Sequence, residues 1–172
     1  HYIDDLLAED PYWGIVGASL RRPDTKEALA PQRGLYTLAT RSAAGTKARI
    51  LGSLIDVLDA NTERETLLNL MAHEDIRIVS LTVTEKGYCH DPATRALNFA
   101  HPDIAHDLAA ALAPRSAVGL LVRGLQARRR PVTLLCLDNL PANGHTLRGL
   151  VLAFAERVEG GVLISDLVGI PS

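Results

Sequence analysis

The chain has 172 residues, of which 47% are hydrophobic and 22% are charged, a composition typical of one globular domain. Its 18 Lys and Arg residues against 20 Asp and Glu residues give a net charge of −2, which argues against nucleic acid or an anionic membrane as a partner. Two cysteines are too few for a disulfide framework. Without a signal peptide or an apolar run long enough to span a bilayer, the sequence predicts a reduced, cytoplasmic protein.

The first half of the chain predicts strands followed by a helix. Residues 13–20 are typical of a short buried strand, and the turn residues that follow, up to Thr25, end it. Residues 36–40 and 48–54 predict the two strands of a hairpin. Residues 61–71 predict a helix with Asn61 as its N-cap.

The second half predicts two further strands and two further helices. Residues 78–84 and 132–137 are nearly continuous apolar runs, while residues 116–130 and 146–158 have helical patterns and Gly160-Gly161 ends the last one. Residues 87–106, rich in His, Asp and Pro, predict an irregular segment. This alternation predicts an α/β fold of one domain, with a parallel sheet covered by helices on both faces. Arg128, Arg129 and Arg130 are expected to complement the dipole at the end of the 116–130 helix.

Polar residues follow three of the predicted strands, where open α/β sheets bind ligands. Asp24 is either an acidic residue that bonds a ribose or an ordinary turn aspartate. Glu85 is either a proton-carrying carboxylate or a solvated partner of Lys86. Asp138 and Asn139 end a strand, where either the Asn139 N–H donor polarises a carbonyl oxygen or the two residues cap the following helix.

A metal site is the least favoured interpretation of the segment after residue 88. Cys89, His90, His101 and His106 lack the tight ligand pairs of zinc sites. The sequence also contains no Gly-x-Ser-x-Gly elbow, phosphate-binding Gly-Lys-Ser/Thr loop or His-Glu-x-x-His motif. We therefore predict no metal and find no anchor for a hydrolase, nucleotide kinase or zincin.

Two runs are specific enough to indicate a family: Thr82-Val-Thr-Glu-Lys-Gly-Tyr-Cys89 and Asp138-Asn-Leu-Pro-Ala-Asn-Gly144. With residues 13–17, 33–38, 78–81 and 101–108, in order and at near-family spacing, they resemble the mannitol dehydrogenase family. These are long-chain polyol dehydrogenases and reductases, including mannitol 2-dehydrogenase and fructuronate reductase. The resemblance covers nearly the whole chain.

The resemblance implies a zinc-independent, NAD-dependent oxidoreductase that transfers hydride at C2. The substrate would be a polyol, ketose or ketouronate, as in the mannitol/fructose or fructuronate/mannonate pairs. A Rossmann-like N-terminal domain would bind the cofactor, and a helical C-terminal domain would supply a catalytic lysine.

The resemblance also assigns roles to residues. Asp24 would hold the adenosine ribose and favour NAD over NADP, because its charge repels a 2′-phosphate. Glu85 would line the proton path, and Asn139 would polarise the reacting oxygen. The expected cofactor-binding residues also include Arg21, Thr82 and Thr84.

The chain departs from the family's pattern at both ends. His1–Leu7 resembles the helix after the glycine-rich pyrophosphate loop, and residues 169–172 resemble the lead-in to a Val-Asp-Arg signature that precedes the lysine. We therefore expect residues 1–172 to be a truncated Rossmann-like domain, with the first strand, the glycine-rich loop and the C-terminal catalytic domain absent. Alone it should be inactive, bind NAD weakly at most, and self-associate through an unpaired sheet edge. The alternative is a non-catalytic nucleotide-binding or interaction module that kept the fold.

Overall fold

The computed structural model describes residues 2–158 and 168–169. The chain divides into two compact units, His1–Glu63 and Arg64–Ser172, and each is described by itself. Within the described ranges, no helix is both long and apolar enough to cross a bilayer.

The N-terminal unit combines a parallel strand pair with a hairpin. Its elements are α1 (Tyr2–Glu9), β1 (Ile15–Ser19), α2 (Asp24–Leu29), a 3₁₀ turn (Ala30–Gln32), β2 (Tyr36–Ser42), β3 (Gly45–Leu51) and β4 (Leu54–Asp59). Strands β1 and β4 are parallel, and β2 and β3 are antiparallel. Gly34, before the hairpin, has φ of 78°, and a Cβ there would lie 1.9 Å from the Leu54 carbonyl oxygen, so only glycine fits.

The structure confirms the hairpin and corrects the strands beside it. Strand β3 ends at Leu51, and Leu54 begins a separate strand that the sequence did not predict. The apolar run on both sides of Gly52 concealed this break. The predicted buried strand at residues 13–20 is shorter, and it is half-buried rather than buried, with Trp13 44% exposed.

The C-terminal unit is a parallel sheet packed against helices. Its elements are α3 (Arg64–Ala72), β5 (Ile78–Leu81), a 3₁₀ helix (Glu85–Tyr88), α4 (Pro102–Ala109), α5 (Ala117–Leu125), β6 (Val132–Cys136), α6 (Asn143–Ala155) and β7 (Val168–Gly169). The strand order is β5-β6-β7, with both pairs parallel. The core includes the fully buried side chains Val118, Val122, Leu125, Leu134, Leu150, Val151 and Phe154.

Several predicted boundaries in this unit are wrong. Helix α3 begins at Arg64, and Asn61 instead bonds Asp59 in the preceding turn. Helix α4 begins at Pro102, within the segment expected to be irregular, and continues past it to Ala109. Three apolar side chains of the predicted buried strands are exposed, which are Ile78 on β5, Leu135 on β6 and Leu137 just after β6. The parallel arrangement is confirmed, while self-association through a sheet edge stays a prediction. Gly160-Gly161 lies outside the described residues.

Helix α5 ends at Leu125, so the predicted dipole role of the three arginines is wrong for that helix. The side chain of Arg128 is 5% exposed and donates to backbone carbonyls, which are those of Met71, His73, Ile76, Arg130 and Pro131. Met71 belongs to the last turn of α3 and His73 follows it. Arg128 therefore satisfies the C-terminal carbonyls of α3, which have no partner within their own helix.

Helix α5 begins on a buried polar cluster. Its N-cap Ser116 accepts a hydrogen bond from the Gly119 N–H at 2.9 Å, and its hydroxyl donates to Asp107 at 2.6 Å. Asp107 is fully buried and also accepts the backbone N–H groups of Arg115 and Ser116. A Cβ on Gly119 would lie 2.2 Å from an Asp107 oxygen, so this close approach requires glycine.

Candidate active site

The carboxyl ends of β5 and β6 lie side by side and are followed by four of the six predicted site residues. Leu81 pairs with Cys136 at the end of the parallel ladder, and the Leu137 N–H donates to the Leu81 carbonyl at 2.9 Å. The segment that contains Thr82, Thr84 and Glu85 therefore leaves the sheet beside the segment that contains Asn139. This edge is where ligands bind in open α/β sheets.

Asp138 ties these two segments together. One carboxylate oxygen accepts the Val83 N–H at 2.9 Å, and the other accepts the Thr84 N–H at 3.0 Å. The Tyr88 hydroxyl donates to the first oxygen at 2.6 Å. Burial raises the pKa of the Asp138 carboxyl, but the bonds from Tyr88, Val83 and Thr84 together outweigh burial and hold that pKa below its usual value. The carboxylate is thus charged and bonded across the two segments at neutral pH.

Tyr88 is completely buried beneath this junction. Burial first, and then its hydrogen bond to Asp138, raise the pKa of Tyr88 well above its usual value. Its oxygen also lies 3.0 Å from the Cys136 sulfur. Because the one hydroxyl proton points at Asp138, the Cys136 thiol donates to the tyrosine oxygen. Both side chains therefore serve the junction and have no access to a ligand.

Glu85 follows a strained residue and faces a cleft. Thr84 has φ of 65° and ψ of 162°, a region that is essentially glycine-only. Glu85 is exposed and lines a cleft of about 130 Å³, together with His90, Pro92, Arg95, Leu140, Pro141 and Thr146. Within the residues the structure describes, the buried His90 Nδ1 has no hydrogen-bond partner.

Asn139 is exposed between two residues that fix its backbone. Its neighbour Asp138 is held as described, and the Leu140 N–H donates to the Asp138 carbonyl at 2.9 Å. The Asn143 side chain donates to the carbonyls of Cys136 at 3.0 Å and Asp138 at 3.1 Å. The N-cap of α6 is Ala142, which makes no side-chain capping bond. Capping by Asp138 or Asn139, the alternative to a role at the site, is therefore not observed.

Asp24 and Arg21 form a separate group in the N-terminal unit, after the carboxyl end of β1. Asp24 opens α2 and pairs with Arg22 at 2.8 Å, with 58% of its side chain exposed. Arg21 is exposed as well. Exposed carboxylate and guanidinium groups at the end of a parallel strand are available to the hydroxyls or phosphates of a ligand. Their assignment to a cofactor stays a prediction.

Cys89, His101 and Asp103 lie together, with their ligand atoms within 4.8 Å of one another. His101 is the N-cap of α4, and its Nδ1 accepts the Asp103 N–H at 3.2 Å. This ring nitrogen is thus engaged in capping, and the positive end of the α4 dipole disfavours a cation there. The geometry suits a cap better than a metal centre, and the absence of a metal stays a prediction.

The sequence missed Tyr88, Cys136 and Asn143 as parts of the site. Asn143 bonds the backbone beside Asn139, Tyr88 bonds the Asp138 carboxylate, and Cys136 contacts the Tyr88 hydroxyl. The motif Asp138-Asn-Leu-Pro-Ala-Asn-Gly144 did contain one usable signal, since its second Asn follows the first by four residues across a proline turn. Nothing in the sequence indicates that Tyr88 bonds a carboxylate 50 residues away.

The sequence profile described as Mannitol dehydrogenase Rossmann domain matches residues 2–172. A mannitol 2-dehydrogenase of Cereibacter sphaeroides is 42% identical over 163 residues, which cover 90% of this chain and 34% of that protein. The uncharacterized oxidoreductase YeiQ of Escherichia coli is 40% identical over 158 residues, covering 88% and 32%.

Solved structures agree with these relatives. The mannitol 2-dehydrogenase of Pseudomonas fluorescens, solved as a ternary complex with NAD and D-mannitol, has a TM-score of 0.89 and 35% identity, covering 98% of this chain and 37% of that one. The chain thus spans about a third of the length of the relatives it matches. The expected Rossmann-like α/β fold is confirmed, and the chain belongs to the mannitol dehydrogenase family, within the family's Rossmann domain.

Proposed function

We propose that this chain forms the nucleotide-binding part of an NAD-dependent oxidoreductase that interconverts a sugar alcohol and a ketose at C2. The observation that carries the proposal is the junction at Asp138, which joins the segment of Glu85 to the segment of Asn139 at the edge where such folds bind ligands. Membership in the family supports the reaction class, and the names of the relatives support the polyol.

The proposed roles follow from the chemistry of each side chain. The exposed Asn139 amide donates an N–H to the C2 oxygen, which stabilises the charge that develops there as an alkoxide forms. Glu85 exchanges protons between the cleft and solvent, because its carboxylate is exposed at the cleft wall. The general acid or base is a lysine of the C-terminal domain, as the resemblance implies.

The chemistry of the residues after β1 and β5 fits a nicotinamide cofactor, which when bound supplies or accepts the hydride. Asp24 is exposed enough for its carboxylate to accept hydrogen bonds from ribose hydroxyls. Its negative charge opposes a 2′-phosphate and so favours NAD over NADP. The proposed cofactor-binding residues also include Arg21, Thr82 and Thr84, which are all exposed.

A ketouronate is the second candidate substrate, and Arg95 is the observation that favours it. Arg95 lines the cleft beside Glu85 and is exposed, with a left-handed φ of 59°. A guanidinium at the cleft can bind the carboxylate of a ketouronate, which a neutral ketose lacks. The fructuronate type of reaction is therefore part of the proposal.

Steady-state assays of the complete reading frame that contains these residues test both substrates. NADH and NADPH oxidation would be followed with D-fructose, D-fructuronate and D-tagaturonate. We expect NADH to be preferred and N139A to lower kcat by about 100- to 1,000-fold, the usual cost of removing one such donor. The matched control is N98A, because Asn98 is also exposed in the same unit and its side chain accepts the nearby Ala100 N–H.

The outcomes separate the candidates. A higher kcat/KM for the ketouronates would establish the uronate type, and a higher value for fructose would establish the polyol type. No turnover of any of these substrates with either cofactor would reject the enzyme and favour the non-catalytic module. We expect the 172-residue polypeptide expressed alone to show no turnover, since the resemblance assigns it no catalytic lysine.

A further inference from the structure

The Asp138 carboxylate joins two segments that are far apart in sequence. The backbone N–H groups that it accepts belong to residues 54 and 55 positions earlier in the chain. Strands β5 and β6 already pair up to Leu81 and Cys136, so the sheet itself does not require this bond. The carboxylate extends the connection beyond the last ladder position, into the two segments that carry Glu85 and Asn139.

The carboxylate is itself fixed in orientation. Tyr88 donates to it from a completely buried position, and the Cys136 thiol lies behind the tyrosine oxygen. A chain of hydrogen bonds that ends on a charged acceptor is cooperative, and each donor holds the next. The Asp138 side chain therefore has one arrangement in which both backbone donors and the tyrosine are satisfied.

The strain at Thr84 shows what this arrangement does to the backbone. Thr84 has φ of 65° and ψ of 162°, and such a conformation persists only where the surroundings hold it. Its N–H is one of the two donors to Asp138. The next residue, Glu85, begins the 3₁₀ helix. The direction in which Glu85 leaves the strand thus depends on the bond between Thr84 and Asp138.

We propose that Asp138 is a positioning residue, which fixes the segment of Glu85 against the segment of Asn139 so that both side chains meet one substrate. Asp138 does not touch the substrate in this role, since its oxygens are used by Val83, Thr84 and Tyr88. The inference rests on the proposed function, because it assigns a consequence to the spacing of two catalytic groups. Asp138 would act on the reaction through the alignment of Glu85 and Asn139.

The substitution D138N in the complete protein tests the proposal, with D91N as its matched control. Asp91 also accepts two backbone N–H groups, but they belong to the nearby Ala93 and Thr94. In D138N the new amide group points an N–H at one of the two backbone donors, so that bond is lost. In D91N the same chemical change affects only a local turn.

Two readouts separate alignment from simple loss of structure. Amide hydrogen exchange of residues 82–89 should become faster in D138N than in wild type or D91N, which reports the coupling without any substrate. With the better substrate of the wild type, kcat should fall about 10- to 100-fold in D138N, while its KM changes by less than about threefold. The isotope effect with C4-deuterated NADH should stay at or above the wild-type value, since hydride transfer becomes slower.

The milder substitution Y88F keeps the packing and removes only the hydroxyl, so kcat should fall by about threefold to tenfold. Unchanged hydrogen exchange in D138N would overturn the proposal, and so would faster exchange with an unchanged kcat or an equal loss in D91N. A wild type without turnover would instead refute the proposed function and, with it, the catalytic consequence of the coupling. The exchange result then still shows whether Asp138 holds the Glu85 segment.

Discussion

An aspartate follows each of the strands β1 and β6, and the two carboxylates are used in opposite ways. Asp24, after β1, pairs with Arg22 at 2.8 Å in a site where both side chains are more than half exposed. Asp138, after β6, accepts hydrogen bonds from two backbone N–H groups and a buried hydroxyl. The first carboxylate is open to a ligand, and the second is saturated by the protein.

The energetics of the two positions differ accordingly. An exposed ion pair contributes about 0–1 kcal/mol to stability, because water screens it and the long side chains lose entropy. A hydrogen bond to a charged group contributes about 1.5–3 kcal/mol. Removing the exposed aspartate should therefore change ligand selection and leave the fold intact. Removing a saturated aspartate should change the fold or the geometry of the site.

Asp107 is the most extreme saturated carboxylate, and D107A should have the largest effect on stability. It accepts hydrogen bonds from Arg115 and Ser116 and packs against Gly119. Alanine would leave these buried donors without an acceptor. We expect a loss of about 3–5 kcal/mol in the free energy of unfolding, measured by urea denaturation followed by circular dichroism.

The control for D107A is D103A, on the same helix. Asp103 is in the first turn of α4 and 43% exposed, so its removal should cost less than about 1 kcal/mol through the helix dipole. If the two variants lost similar stability, the difference between saturated and exposed carboxylates would not hold.

The pH dependence of stability gives a second, smaller contrast. The folded-state pKa of Asp138 is depressed, because the hydrogen bonds from Tyr88, Val83 and Thr84 outweigh the effect of burial. Its contribution is therefore present above the unfolded pKa, about 3.9, and is lost as the pH falls through the lower folded pKa. We expect D138N to be less stable than wild type at neutral pH.

The stability difference between wild type and D138N should shrink as the pH falls below about 4. Urea unfolding of both proteins between neutral and acid pH measures it. A difference independent of pH would mean that the charge of Asp138 does not carry its effect.

The fold was largely predictable because its strands are apolar and its helices periodic. What the sequence could not show is where one apolar run is two strands, as at Gly52 between β3 and β4. The sequence also predicted that the three arginines serve the end of the 116–130 helix, whereas Arg128 bonds carbonyls at the end of α3. A triplet of arginines gives no sign of which one turns inward, and the choice of Arg128 depends on the free carbonyls of α3, which are distant in sequence.

The sequence places Glu85 and Asn139 after two strands, and the structure finds both residues exposed beyond the carboxyl ends of β5 and β6. Their contact with a ligand stays a prediction. The parts played by Tyr88 and Cys136 could not be predicted in the same way, because they depend on contacts between residues 48 to 50 positions apart in the chain. Sequence patterns report local periodicity and surface chemistry, whereas a buried bond network depends on packing that only the fold defines.

Asp24, the exposed carboxylate, should have the smallest effect on stability and a clear effect on the preference between NADH and NADPH. D24N should change the free energy of unfolding by less than about 1 kcal/mol, because the Arg22–Asp24 pair is exposed. The same change should raise kcat/KM with NADPH relative to NADH by about tenfold or more, since the proposed role of Asp24 sets its negative charge against a 2′-phosphate. The matched control E27Q removes a charge from the exposed surface of the same helix, and it should leave the cofactor ratio unchanged. An equal shift in both variants would mean that the net charge of α2, and not the position of Asp24, selects the cofactor.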